Sequence, residues 1–218
     1  MSIYKSVKSC RLCLSQRLKK AVPMPKIELT EKYFATKEEA LNNSIKLPID
    51  LYVCEECCHA QITDIVDKEI LWDDFTFWSG QTEKMRKHLL DISKWTQNFL
   101  VGIENPNILD VGSNDGTFLK NFPSEYSVLG VDPAKEIAMY ANNRGIPTIC
   151  EFFDREVAKK MIKTHGKFDT VTCLNAFAHC EDMNEFFIAI KEVLKTNGIL
   201  SLKFLICLTS LARCYWAQ

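Results

Sequence analysis

A chain of 218 residues is long enough to bury a hydrophobic core and to form one or two domains. Its formal net charge of -1, with 25% charged residues, excludes the strongly basic surface that a nucleic-acid backbone would attract. Hydrophobic residues make up 47% of the chain, which argues against intrinsic disorder. We therefore expect a folded protein with no nucleic-acid partner.

The chain shows neither a signal peptide nor a candidate membrane span. Residues 1–8 lack an apolar core, and the apolar stretch Ile199–Ala212 is too short and is interrupted by Lys203. We expect a soluble cytoplasmic protein with no membrane partner.

Four of the ten cysteines form two C-x-x-C pairs, which are Cys10 with Cys13 and Cys54 with Cys57. Each two-residue gap places both sulfurs on one side of a tight turn, so the four thiolates could bind one tetrahedral Zn²⁺. The alternative is a set of reduced thiols without metal, and the adjoining Cys58 and His59 could compete as ligands. We predict a zinc-binding domain over residues 1–68, in which a closed four-sulfur site serves folding rather than catalysis.

An aromatic segment and a linker helix are predicted over residues 69–101. Residues 71–78 contain two tryptophans and two phenylalanines, against which a planar ligand could rest. Ser79 and Thr82 are candidate N-caps of the helix, in which apolar residues recur every three or four positions. These apolar residues are Met85, Leu89, Ile92, Trp95 and Phe99. We expect most of them to lie in the core.

From residue 107 onward the chain alternates short apolar runs with helical patterns. The predicted strands are Asn107–Val111, Ser127–Val131, Thr148–Cys150, Thr170–Leu174 and Gly198–Leu205. The predicted helices are Thr117–Asn121, Ala134–Arg144, Arg155–Thr164 and Met183–Lys195. Such alternation is typical of a parallel sheet with right-handed crossovers. The sequence therefore predicts an α/β fold, with a Rossmann-like domain of about five parallel strands over residues 102–218.

The first of these strands ends in a glycine-containing turn, and the second ends at Asp132. Gly112 and Gly116 could adopt positive φ and let the backbone approach a ligand, towards which the following N–H groups would point. The Asp132 carboxylate could accept two hydrogen bonds from a ribose diol. Asn114 replaces the second glycine of a dinucleotide fingerprint, and no P-loop pattern exists. A nucleoside cofactor without phosphate, such as S-adenosylmethionine (SAM), fits best, and a turn without ligand is the alternative.

Seven segments of the chain occur in a distinctive order and spacing. They are Cys10–Cys13, Leu47–Leu51, Cys54–Gln61, Phe77–Gly80, Leu109–Thr117, Gly130–Pro133 and Asn175–His179. Together they resemble the zinc-containing, SAM-dependent C-methyltransferases that act on nucleotide-linked keto-deoxysugars. The resemblance extends from about residue 8 to residue 204, and it implies a class I methyltransferase sheet.

The resemblance implies a reaction at the carbon next to a sugar ketone, with a nucleotide sugar as the small-molecule partner. A base would remove the acidic proton, and the enolate would attack the methyl group of SAM. His179 is a candidate for substrate contact or proton transfer, and a structural histidine is the alternative. The implied SAM-binding residues are Asp110, Gly112, Asn114, Asp115, Gly116, Asp132 and Asn175, with Phe153 beside the adenine.

The chain departs from this family in two places. Phe75 and Phe77 stand where many members carry tyrosines, so no phenol can exchange a proton there. The family's Tyr/Glu/His cluster, associated with the base, lies beyond the fifth strand, and residues 205–218 show no such pattern. We therefore expect a C-terminally truncated domain that binds SAM weakly and has little or no activity.

Two other functions compete with this interpretation. An RNA methyltransferase with a zinc module should have a basic surface and an N-P-P-[FY]-type signature, whereas residues 175–178 read Asn-Ala-Phe-Ala. The second competing function is that of a non-enzymatic scaffold, in which a zinc module is fused to a degenerate Rossmann domain. Such a scaffold should tolerate Asp132→Ala and Gly112→Trp and still bind its partner.

Overall fold

The computed structural model describes residues 3–29, 33–72 and 75–203. The chain divides into two compact units, one of residues 1–77 with 181–184 and one of residues 78–180 with 185–218. Among the helices that the structure describes, none combines the length and the apolar character needed to cross a membrane.

Short antiparallel strands build the first unit. Strands β2 (Leu18–Val22), β5 (Leu51–Cys54) and β6 (Ala60–Ile62) form a sheet in that order. Strand β1 (Tyr4–Ser6) pairs with β7 (Asp64–Val66), and β3 (Ile27–Glu28) pairs with β4 (Lys46–Leu47). The unit also contains the helices α1 (Lys37–Asn43) and α2 (Lys68–Trp72). Thr36 caps α1 through a reciprocal capping box with Glu39.

A five-stranded parallel sheet forms the centre of the second unit, which confirms the predicted fold class. Its strands are β8 (Asn107–Val111), β9 (Ser127–Val131), β10 (Thr148–Ile149), β11 (Phe168–Leu174) and β12 (Leu194–Lys203). They lie in the order β10-β9-β8-β11-β12, so β8 is central and the chain winds outward from it in both directions. The carboxyl ends of β8 and β11 therefore meet at the point where the winding reverses, which is the usual ligand position in such sheets.

The helices of the second unit follow the predicted positions with shifted ends. They are α3 (Glu83–Gln97), α4 (Lys135–Asn143), α5 (Arg155–His165) and α6 (Met183–Val193). The helix predicted over Thr117–Asn121 is only a 3-10 turn at Leu119–Asn121. Strand β12 begins four residues earlier than predicted, and its pairing with β11 shifts register between Phe168 and Thr170. Residues 204 and 205 of the predicted strand lie outside the described residues.

Three of the five apolar residues predicted for α3, Met85, Leu89 and Ile92, belong to or pack against the core, as expected for most of them, whereas the last two do not. Trp95 and Phe99 are 53% and 44% exposed and pack edge-to-face on each other. Besides Leu89, the buried residues of α3 are Ser93 and Thr96. The hydroxyl groups of Ser93 and Thr96 each donate to a backbone carbonyl of the preceding turn, so both can be buried without an unsatisfied donor.

Side chains alternate along β8, and the second unit has one hydrophobic cluster on each face of the sheet. Leu109 and Val111 belong to a cluster with residues of α5 and α6, whereas Ile108 belongs to a cluster with Leu89 and Leu119. Because side chains alternate along a strand, Asp110 shares the face of Ile108. A carboxyl group is thus built into the sheet immediately before the glycine turn.

Candidate functional site

The two cysteine pairs come together in the first unit. The sulfur atoms of Cys10, Cys13, Cys54 and Cys57 all lie within 4.8 Å of one another. The Cys10–Cys57 and Cys13–Cys54 sulfur pairs are each 3.6 Å apart. Four thiolates around Zn²⁺ at about 2.3 Å would be separated by about 3.8 Å, so the cluster fits a tetrahedral zinc site. Neither Cys58 nor His59 belongs to the cluster found among the described residues.

Backbone N–H groups lie close to two sulfur atoms of the cluster, those of Cys54 and Cys10. The N–H groups of Cys57 and Glu56, the first of these most strongly, help to lower the pKa of Cys54 to about 7. The N–H group of Leu12 lies 3.4 Å from the sulfur of Cys10. The buried side chain of Gln61 accepts from the N–H of Arg11 at 2.8 Å, which fixes the first pair against strand β6.

The glycine turn after β8 contains several residues at positive φ. Gly112, Asn114 and Gly116 have φ values of 75°, 51° and 73°. An added Cβ at Gly112 would overlap the Cβ of Ala176, which follows β11. The turn after β8 and the loop after β11 are therefore packed together, and only glycine fits at position 112.

Backbone N–H groups of this turn form hydrogen bonds within the protein. The N–H groups of Gly112 and Ser113 both donate to the carbonyl of Val131, at 2.9 and 3.2 Å, and that of Gly116 donates to Ser113. The turn folds back onto the end of β9, so carbonyl groups of the protein itself accept these hydrogen bonds. A ligand at this edge would therefore be recognised by side chains and carbonyl groups.

Asp132 connects the glycine turn to the start of α4. One carboxylate oxygen accepts from the N–H of Asn114 at 2.8 Å, and the other accepts from the N–H of Ala134 at 3.0 Å. Burial raises the pKa of Asp132, and these two hydrogen bonds oppose that rise. Each oxygen keeps a second lone pair for a ligand hydroxyl, so the geometry is compatible with the predicted ribose contact.

Asp110 supports the turn from within the sheet. Its carboxyl group is 2% exposed and accepts from the hydroxyl of Thr172 on β11 at 2.6 Å. Burial raises the pKa of Asp110 to about 7, with a smaller contribution from the neighbouring Asp132. The sequence did not single out Thr172, because a buried threonine in a strand is unremarkable until its partner is known.

The buried carboxyl group of Asp110 should make stability depend on pH. An ordinary aspartate titrates near 3.8, so the unfolded chain releases a proton that the folded chain retains up to about pH 7. The free energy of unfolding should therefore fall as the pH rises from 4 to 7, by at most about 4 kcal/mol at about 1.4 kcal/mol per pKa unit. Asp110→Asn should show a smaller fall, measured by urea unfolding at pH 5, 6 and 7. Equal slopes in both proteins would contradict this.

A turn at Trp78–Gln81 holds the glycine turn from outside the sheet. The N–H of Ser79 donates to the side-chain oxygen of Asn114, and the N–H of Gly80 donates to Asp115, both at 2.8 Å. Asp115 also accepts from the N–H of Thr117 at 3.1 Å. The predicted capping role of Ser79 was thus wrong, and Thr82 alone caps α3. In the sequence, these two donors stood out only as members of Phe77–Gly80, one of the segments that carry the family resemblance.

The remaining predicted residues follow β10 and β11. Asn175 is exposed at a φ of 64°, and its N–H donates to the carbonyl of Lys203 at 2.7 Å. His179 ends a short 3-10 turn, and partial desolvation lowers the pKa of its imidazole. Phe153 packs edge-to-face on Phe186 with 5.7 Å between the ring centroids. Asn175 therefore adjoins the Gly112–Ala176 contact, whereas Phe153 packs at the margin of the core.

The aromatic segment before α3 packs largely on itself. Trp72 meets Phe75 edge-to-face at 4.8 Å, and Phe75 lies 6.4 Å from Phe77. Trp78 instead meets Tyr140 of α4 at 4.9 Å. The rings of the first unit thus have protein partners, and a ligand is not needed to explain them.

Two family models match the chain. Residues 10–72 match the family described as "Putative zinc binding domain", and residues 109–202 match the family described as "Methyltransferase domain". The C-methyltransferase NovU of Streptomyces niveus is 23% identical over 198 residues, which cover 90% of this chain and 47% of that protein. The chain therefore spans about half the length of this curated relative.

Solved structures resemble the chain more distantly. The plantazolicin methyltransferase BpumL in complex with SAH matches with a TM-score of 0.48 and 19% identity, over 62% of this chain and 54% of that one. CalS10, an amino pentose methyltransferase from Micromonospora echinaspora, matches with a TM-score of 0.44 and 22% identity, over 56% and 51%. Neither similarity is strong enough to support an inference about ligand or substrate.

Proposed function

We propose that this chain, which carries a zinc-binding domain followed by a methyltransferase domain, is the SAM-binding part of a C-methyltransferase acting on a nucleotide-linked keto-deoxysugar. The two domain matches and the relative named a C-methyltransferase agree with the family resemblance of the sequence. The substrate class rests on that resemblance.

One observation carries the proposal for SAM. The turn after β8, Asp132 after β9 and the loop after β11 converge at the reversal point of the sheet, through the Asn114–Asp132 hydrogen bond and the Gly112–Ala176 contact. This arrangement brings a ribose-compatible carboxylate to the reversal point of the sheet. The residues present therefore fit a nucleoside cofactor.

The chain's own residues would bind and orient SAM, which would supply an electrophilic methyl group when bound. Asp132 would accept from the ribose hydroxyls. Asn175 would offer a side-chain amide at the same edge. His179 has a lowered pKa, so its imidazole is largely neutral near pH 7 and could accept a proton from a substrate.

Titration calorimetry with SAM tests this proposal. We expect wild-type protein to bind SAM with saturation, and Asp132→Ala to bind it at least tenfold more weakly because the hydroxyl acceptors are lost. Asp91→Ala provides the matched control, since Asp91 is an exposed carboxylate on α3, and its affinity should equal that of the wild type. Equal affinities for the two variants, with both folded, would contradict the proposed site.

A further inference from the structure

Residues 181–184 belong to the first unit, although the residues on both sides of them belong to the second. The chain leaves the second unit after Cys180 and returns to it at Glu185. We call residues 181–184 the returning segment. It follows the 3-10 turn that ends at His179, and it includes the first two residues of α6. The functions proposed so far give no reason for this excursion of the chain.

The two residues between the first pair of cysteines hold the returning segment. A guanidinium nitrogen of Arg11 donates to the backbone carbonyl of Glu181 at 3.1 Å. The side-chain amide of Asn184 donates to the backbone carbonyl of Leu12 at 3.2 Å. Lys5 also forms an ion pair with Glu181, but both side chains are exposed, so this pair contributes little. The two hydrogen bonds to backbone carbonyls are therefore the specific contacts.

The geometry of both contacts depends on the shape of the turn formed by the first cysteine pair. Arg11 and Leu12 lie between two of the predicted zinc ligands, Cys10 and Cys13. A metal ion bound to both sulfurs restricts the path of the backbone between them. Gln61 holds the same turn from strand β6 through the N–H of Arg11. Zinc binding should therefore fix both the Leu12 carbonyl and the point from which the Arg11 side chain extends.

The returning segment is closely connected to His179. The N–H of Cys180 donates to the carbonyl of Phe177 at 3.1 Å, which closes the 3-10 turn that carries His179. At the other end, the Asp182 carboxylate accepts from the N–H of Asn184 at 2.9 Å and satisfies a donor in the first turn of α6. A single residue separates His179 from the segment, so a displacement of the segment would also move the backbone at His179.

We propose that Arg11 and Asn184 are positioning residues for His179, and that zinc bound at the first cysteine pair fixes the segment that they hold. The zinc site would then serve the candidate active site in addition to folding the first unit. The contacts themselves do not depend on SAM, whereas their use in a reaction rests on the proposed function.

Hydrogen–deuterium exchange of two zinc-loaded variants tests the proposal. Asn184→Asp keeps the shape of the side chain but replaces its N–H donor with an oxygen, and Arg11→Ala removes the guanidinium. We expect each variant to retain one zinc per chain and to exchange at least about fivefold faster in residues 180–184, because a hydrogen bond that holds the segment is lost. Arg17→Ala is the matched control. Arg17 is an exposed arginine that forms its ion pairs elsewhere in the first unit, so exchange in residues 180–184 should not change.

The NMR titration of the His179 imidazole distinguishes positioning from a purely structural role. The chain has four histidines, so the spectrum of His179→Gln identifies the signal. Desolvation lowers the pKa of His179, and we expect both variants to raise it towards its ordinary value of 6.5 as water gains access. Arg11→Lys keeps a cationic donor and should shift this pKa less than Arg11→Ala does.

Three results would overturn the proposal. They are unchanged exchange in residues 180–184 of both zinc-loaded variants, faster exchange with an unchanged titration of His179, and equal exchange in wild-type protein with and without chelation of zinc. Every measurement is made without SAM, so failure here leaves the proposed function standing.

Discussion

Cys54→Ser is expected to lose zinc and, with it, the folded state of the first unit. Cys54 is buried, its sulfur lies 3.6 Å from that of Cys13, and serine oxygen is a poor replacement for thiolate. Structural zinc supplies folding free energy directly, so we expect zinc affinity to fall at least a hundredfold. Metal content after dialysis and chelator competition measure this loss.

Cys58→Ser is the matched control for this prediction. Cys58 adjoins the second pair but is exposed and outside the cluster, so this variant should retain one zinc per chain. Limited proteolysis should cut the first unit of Cys54→Ser faster than that of Cys58→Ser. Full zinc content in Cys54→Ser would show that the cluster is not the metal site.

Gly112→Ala is expected to destabilise the second unit and to abolish SAM binding. The position has a φ of 75°, which costs a residue with a side chain about 1–2 kcal/mol. The new Cβ would also overlap that of Ala176, and such overpacking costs typically about 1–3 kcal/mol. We therefore expect the free energy of unfolding to fall by about 3 kcal/mol, measured by urea denaturation.

Two further variants separate the contributions at Gly112. Gly102 has a φ of 84° with no atom within 4 Å of an added Cβ, so Gly102→Ala should show the conformational cost alone. Adding Ala176→Gly to Gly112→Ala removes the overlapping methyl group and should recover part of the lost stability. Identical losses in Gly102→Ala and Gly112→Ala, without recovery in the double variant, would mean that the two loops are not in contact.

The sequence predicted those features that depend on local pattern. Apolar runs ending at Val111 and Val131 marked two strands of the sheet, and C-x-x-C spacing marked the zinc ligands, because both signals lie within a few residues. The turn at Gly112 was likewise predictable, since positive φ selects glycine.

Features that depend on distant partners could not be predicted. The hydrogen bonds from Ser79 and Gly80 to the glycine turn join residues 35 positions apart, and they use backbone donors that every sequence has. The burial of Ser93 and Thr96 on α3 was missed because both residues count as polar in any hydrophobic pattern. The acceptor of the Gly112 and Ser113 N–H groups could not be predicted either, because Val131 lies on the next strand.

Hydrogen–deuterium exchange of the wild-type protein with and without S-adenosylhomocysteine tests most directly whether the sheet edge is the cofactor site. We expect slower exchange on ligand addition in residues 110–116, 131–134 and 174–179, and unchanged exchange in the zinc-binding domain. Protection confined to other segments, or no protection at saturating ligand, would contradict it.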